Sequence, residues 1–167
     1  MMKTVRETLD YVRQFRGRII VVKISKYVLA NKERLDNVVS DIVSLKHAGI
    51  DVIVTYSDAT FKSDSWSSLE PAVFLNIDNI SAIMGQLAMG ITPIVFFGET
   101  PSLSSEKAIA SLAIKFGAIK IVYVTNYDGI FKAGKSLIHE MDLEQAREML
   151  ASPRAVTRET RAQLEVA

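Results

Sequence analysis

Four stretches of this chain are apolar almost without a break: "RIIVVKIS" (18–25), "DVIVTYS" (51–57), "TPIVFFG" (92–98) and "IKIVYVTN" (119–126). A strand with one wet face alternates apolar and polar residues, whereas a strand covered on both faces has no such alternation. These runs therefore demand helices above and below them. Helical spacing lies between them. After a capping Asn31, Leu35, Val38, Val39, Ile42 and Leu45 form one apolar stripe, and "HAGI" (47–50) supplies a terminating glycine. Asp78 is expected to cap a helix carrying Ile80, Ile83, Met84 and Leu87 that stops at Gly90. Ser104 or Ser105 opens another that runs to Phe116 and ends at Gly117. Strands joined by helices imply parallel pairing with right-handed crossovers. The expected class is α/β: a three-layer α/β/α sandwich around a mostly parallel open sheet.

The rest of the chain fills in around that frame. Val5, Leu9, Val12 and Phe15 recur near helical spacing over 3–16, with Gly17 closing the segment. The serine-rich "SDATFKSDSWSSLE" (57–70) reads as loop, in which Trp66 is expected to anchor packing, and "PAVFLNI" (71–77) reads as a short strand. "DGIFKAGKSLIHEM" (128–141) has the form of a hairpin turning at "KAGK", and Asp142 is expected to cap a helix broken at Pro153. The last segment, "VTRETRAQLEVA", is weakly amphipathic. A length of 167 residues suits one domain over 1–167.

Composition excludes several classes of function. Twenty basic residues against 19 acidic leave a net charge of +1, which gives no reason to expect nucleic acid or an anionic membrane as partner. The chain has no cysteine, so disulfides, thiol catalysis and cysteine-ligated metals are out. With His47 and His139 as the whole histidine complement, no metal site is expected. His47 stands near a helix C-terminus, where a cation suits the dipole. No apolar run approaches the ~18 residues of a membrane span, and the charged N-terminus is unlike a signal peptide, so a cytoplasmic protein is expected.

One residue stands out inside the apolar runs. Lys23 sits near the end of the first strand, followed by Ser25 and Lys26. A cation at that place can neutralise phosphoryl oxygens, or can snorkel from the strand end as an ordinary lysine. Glu106 opens a helix, where a carboxylate gains from the dipole whatever else it does.

"YVRQFRGRIIVVKIS" followed by "DIVSLKHAGIDVIVTYSD" resembles the opening of N-acetylglutamate kinases and of the kinase-like domain of N-acetylglutamate synthases, members of the amino-acid kinase family. "MGITPIVFFG" and "GAIKIVYVTNYDGIFKAGKSLIHEMDLEQAREMLA" follow the second half of the same pattern. The resemblance implies transfer of the γ-phosphate of ATP, with Mg²⁺, to a carboxylate. It implies that Lys23 occupies the catalytic lysine position and Glu106 that of the carboxylate orienting it. Ser25, Lys26, Ser57 and Asn126 fall at phosphate- or nucleotide-binding positions.

The departures are as informative as the matches. Ser25 and Lys26 replace two glycines, and "TYSD" (55–58) replaces a "HGGG" loop. Glycine in such loops lets backbone N–H groups touch phosphate, and side chains block that approach. Asp58 would itself repel an anion. Asn126 keeps polarity without the family's charge. The segment 57–70 stands in place of the family's acyl-amino-acid segment, and the chain stops at Ala167 near the expected place of a second catalytic lysine, with Arg158 and Arg161 nearby. The expectation is a shortened acetylglutamate-kinase-like protein with weakened or absent phosphotransfer, a binding or regulatory subunit linked to arginine metabolism. Its expected partners are a small carboxylate or nucleotide, with a homo-oligomer or partner protein as a further expectation. Helix 3–16 resembles a helix that contributes to oligomers in the family, though such a terminal stripe more often packs on its own subunit. The alternative is a minimal active kinase acting on the carboxylate of N-acetylglutamate or a related small acid.

Overall fold

The computed structural model describes residues 13–58, 64–69, 71–98, 105–126, 129–131, 137–138, 141, 143–151, 161 and 164. Most of helix 3–16, Ser104, the "KAGK" turn, His139, Asp142, Pro153 and most of the final segment lie outside them.

The four apolar runs become strands β1 (Ile19–Ile24), β2 (Asp51–Tyr56), β4 (Thr92–Phe96) and β5 (Lys120–Val124), and β3 (Ala72–Asn76) joins them. They form one five-stranded sheet in the order β3-β4-β2-β1-β5, every neighbouring pair parallel. The helices are α1 (Lys26–Leu29), α2 (Lys32–His47), α3 (Ile80–Ala88), α4 (Ser105–Phe116) and α5 (Leu143–Ala151). Strands β6 (Ile130–Phe131) and β7 (Leu137–Ile138) pair antiparallel, as the hairpin reading required.

Strand alternation sorts the core into two layers. On one face Ile20, Val22 and Ile24 of β1 pack with Val52 and Val54 of β2 and with Leu35, Val39 and Ile42 of α2. On the other, Val21, Ile53 and Val95 pack with Ile83 of α3 and with Ile109, Leu112 and Ala113 of α4. The sandwich expected from the uninterrupted runs is therefore present. The described part of the chain contains no helix long and apolar enough to cross a membrane.

The glycine rhythm has a common bonding pattern. At the end of α2, Gly49 N–H donates to Lys46 C=O at 2.9 Å and Ile50 N–H to Leu45 C=O at 3.1 Å. This double bond arrangement needs a left-handed residue, and Gly49 has φ +81°. A Cβ there would also stand 3.0 Å from Cγ of Arg16. The same two bonds recur at Gly90–Ile91 and Gly117–Ala118, so all three long crossovers are turned into their next strand by one device. Asn31 caps α2 as expected, accepting from Arg34 N–H at 3.0 Å.

Two expectations need correction. The N-cap of α3 is Asn79 and not Asp78, and no side-chain capping bond is made there. The reason is that Asn79 N–H turns back to Asn76 C=O at 3.0 Å, so the chain reverses one residue before the helix starts. The 57–70 segment is also not all loop: Asp64–Leu69 form a 3₁₀ helix. With three residues per turn, Trp66 and Leu69 share one face, and both are buried on the α2 side of the sheet. Their apolar area outweighs the serine-rich composition. Trp66 is 4% exposed and meets Phe74 of β3 edge-on at 6.3 Å, so its reading as a packing anchor holds. Replacement Trp66→Ala should lower unfolding free energy in urea by about 3 kcal/mol or more, with the slope against urea unchanged.

Candidate functional site

Chain direction puts the carboxyl ends of all five parallel strands on one edge, which is where ligands bind in open α/β sheets. Alternation decides what faces that edge. Val21 points to the α4 side, so Lys23, two residues on, does as well. Its register partners are Thr55 on β2 and Tyr123 on β5. A polar row Thr55–Lys23–Tyr123 thus crosses the end of an otherwise apolar layer. Thr55 is fully buried and donates its hydroxyl to Val22 C=O at 3.3 Å.

The Lys23 charge is met from above. Glu106, in the first turn of α4, accepts from Lys23 Nζ at 2.5 Å, and the two side chains are only 13% and 11% exposed. The Lys23 ammonium also lies 5.8 Å from the Tyr123 ring centre, within reach of a cation–π attraction. Glu106 thus sits at the positive end of a helix and also pairs with the lysine. Burial first, and the Glu106 charge second, push the Tyr123 phenol up to about 12. The phenol therefore stays protonated through the neutral range.

The remaining expected site residues are dispersed along the same edge. Ser25 follows β1, and its N–H donates to Val124 C=O at 2.9 Å. Its hydroxyl is buried and meets no hydrogen-bond partner among the described residues. Lys26 opens α1, exposed, with its ammonium 5.2 Å from the Tyr27 ring centre. The structure thus joins Lys23 to Glu106 and turns Lys26 outward. Ser57 follows β2, half-buried, and Asn126 lies exposed beyond β5. His47 ends α2, exposed on the surface. Sequence reading missed Tyr123, because in "IKIVYVTN" it passes for one more strand residue. Its parity with Lys23 across a parallel pair was the available signal.

A buried ion pair is worth little net, yet breaking it strands a charge. Lys23→Met should therefore destabilise the fold by about 3 kcal/mol in urea unfolding, and Lys23→Met/Glu106→Leu should recover most of that loss. Tyr123 sets a separate alkaline limit. Its phenol ionises near 10 when unfolded and near 12 when folded, so the folded state resists losing the proton. The corresponding stability is whole below pH 10 and is lost as pH rises from 10 towards 12. Melting temperatures followed through that window should fall less steeply for Tyr123→Phe than for the parent.

No known family profile matches the chain. Its sequence relatives include acetylglutamate kinases from Methanoregula boonei, 29% identical over 83% of this chain and 44% of that protein, and from Clostridium beijerinckii, 29% identical over 81% and 45%. In structure it is similar to N-acetylglutamate synthase from Neisseria gonorrhoeae, complexed with coenzyme A and N-acetyl-glutamate, with a TM-score of 0.80 at 20% identity over 100% of this chain and 55% of that one. Uridylate kinase from Archaeoglobus fulgidus gives a TM-score of 0.62 at 14% identity, over 89% of this chain and 85% of that one. The chain is thus a sequence relative of the acetylglutamate kinases, built on the amino-acid kinase fold and spanning about half the length of the curated relatives it matches.

Proposed function

We propose that this protein is an acetylglutamate-kinase-like binding subunit that carries out little or no phosphoryl transfer. The observation that carries the reading is the bond from Ser25 N–H to Val124 C=O. In a phosphate loop, the amides after the strand stay free to face an anion. Here the first of them extends the sheet instead. The next residues close into α1, whose Val28 and Leu29 are sunk in the core at 2% and 4% exposure. Ser25 and Lys26 add side chains where glycine would leave room. ATP with Mg²⁺, the donor implied by the relatives, does not fit a loop so closed.

One observation favours the alternative of a minimal active kinase. Lys23 and Glu106 meet as the resemblance implies, so a lysine held by a carboxylate is retained. A held ammonium can orient a phosphoryl group, but it offers no amide cradle for the charge spread over that group in transfer. The binding reading therefore accounts for both the retained pair and the closed loop. The reading extends to a place in arginine metabolism, a suggestion supported by the solved Neisseria gonorrhoeae synthase complexed with coenzyme A and L-arginine.

A coupled assay for ADP formation with ATP, Mg²⁺ and N-acetyl-L-glutamate tests this directly. The expected rate is that of the buffer. Turnover that disappears in Lys23→Met/Glu106→Leu would overturn the reading. A companion thermal scan should show no shift with millimolar MgATP, because a nucleotide bound by the native state would raise its melting temperature.

A further inference from the structure

Two hydroxyls at the carboxyl end of the sheet are left unsatisfied. Ser25 Oγ and Tyr123 Oη are buried atoms without a hydrogen-bond partner among the described residues. Such groups are uncommon, because an unpaired buried hydroxyl gives up its water contacts for nothing. Thr92 Oγ1, at the start of β4, is a third such hydroxyl, but the Ser25 and Tyr123 hydroxyls fall together at the strand ends that hold Lys23.

Tyr123 is the register partner of Lys23 on β5, and its ring stands 5.8 Å from the ammonium. Ser25 comes two residues after Lys23 on extended backbone, φ −73° and ψ 154°, so its side chain leaves on the face that Lys23 uses. Its N–H is tied to Val124, the neighbour of Tyr123. Both hydroxyls therefore belong to residues on the face that carries Lys23, at adjoining strand ends.

We propose that Ser25 and Tyr123 are specificity-determining residues, whose hydroxyls donate to the carboxylate of a small organic acid beside Lys23. This rests on the binding reading above and adds how the anion is read: side-chain hydroxyls take the part that loop amides lack the freedom to play. Charge selects the ligand class. The Lys23 cation is balanced by Glu106, so the local sum is near zero. One carboxylate adds a single negative charge, which two donors and a shared ammonium can meet. A polyphosphate brings several charges towards the Glu106 carboxylate and is repelled. The Tyr123 phenol, kept protonated by burial and by Glu106, remains a donor at every neutral pH.

Isothermal titration of the full chain decides the matter, with glutarate, N-acetyl-L-glutamate, inorganic phosphate and MgATP as probes. Glutarate or N-acetyl-L-glutamate should bind, and phosphate and MgATP should bind more weakly or not at all. Tyr123→Phe and Ser25→Ala should each weaken carboxylate binding about tenfold, the scale of one hydrogen bond to a charged group. Their melting temperatures at neutral pH should stay level or rise, since each removes an unpaired buried hydroxyl. That opposition between binding and stability is what a purely structural hydroxyl would not produce. Carboxylate affinity unchanged in both variants, tighter binding of phosphate or MgATP, no carboxylate binding at millimolar concentration, or a fall in melting temperature alongside lost binding would each overturn the proposal. Lys23-dependent turnover would instead remove the binding-subunit reading, and the Tyr123→Phe affinity ratio would still decide the role of the hydroxyls.

Discussion

A lysine ammonium on the covered face of a sheet has to find an anion, and most of this site follows from that requirement. Lys23 lies in the strand that β2 and β5 flank on either side, under the layer formed by α4. Only a group arriving from the helix layer can meet it, and Glu106 does so from a position 83 residues further along the chain. The crossover from β4 through α4 to β5 must therefore deliver the first turn of that helix over the end of β1. The pair adds little net stability, because desolvation offsets most of the attraction. Its leverage lies in the cost of one partner without the other.

The same geometry gathers polar groups at one edge of the sheet. Parallel strands bring Lys23, Ser25, Ser57 and the end of β5 to one side, while the turns built on Gly49, Gly90 and Gly117 return the chain at the other. Rigidity comes from both core layers gripping the strands between them. The loop after β1 shares in it through Val28 and Leu29. A loop so anchored holds its side chains in fixed positions.

How far the molecule could be read in advance varied by element for physical reasons. Uninterrupted apolar runs are unambiguous in an α/β chain, and helix-ending glycines are nearly so, because both report local backbone and burial needs. The 3₁₀ turn at Asp64–Leu69 was hidden by its serines, although Trp66 and Leu69 stand three apart and so share a face. The shift of the α3 cap from Asp78 to Asn79 reflects a bond to Asn76 C=O that local preference does not foresee. At the site, Lys23 was conspicuous as a charge in an apolar run. Tyr123 was not, since an aromatic residue in a strand signals nothing until its neighbour across the sheet is known.

By itself, the sequence determined which segments are strands, that both their faces are covered, where the helices stop, and that a lysine stands at the end of the first strand. These depend on periodicity and on single-residue conformational limits, which act within a few residues. Only the tertiary structure decided the order β3-β4-β2-β1-β5, the bond from the Ser25 amide to Val124, and the lack, among the described residues, of partners for the Ser25 and Tyr123 hydroxyls. Each of these joins groups on separate elements, or records the partners they fail to find. Such relations exist only once faces are packed and registers chosen, so no local reading of the chain contains them.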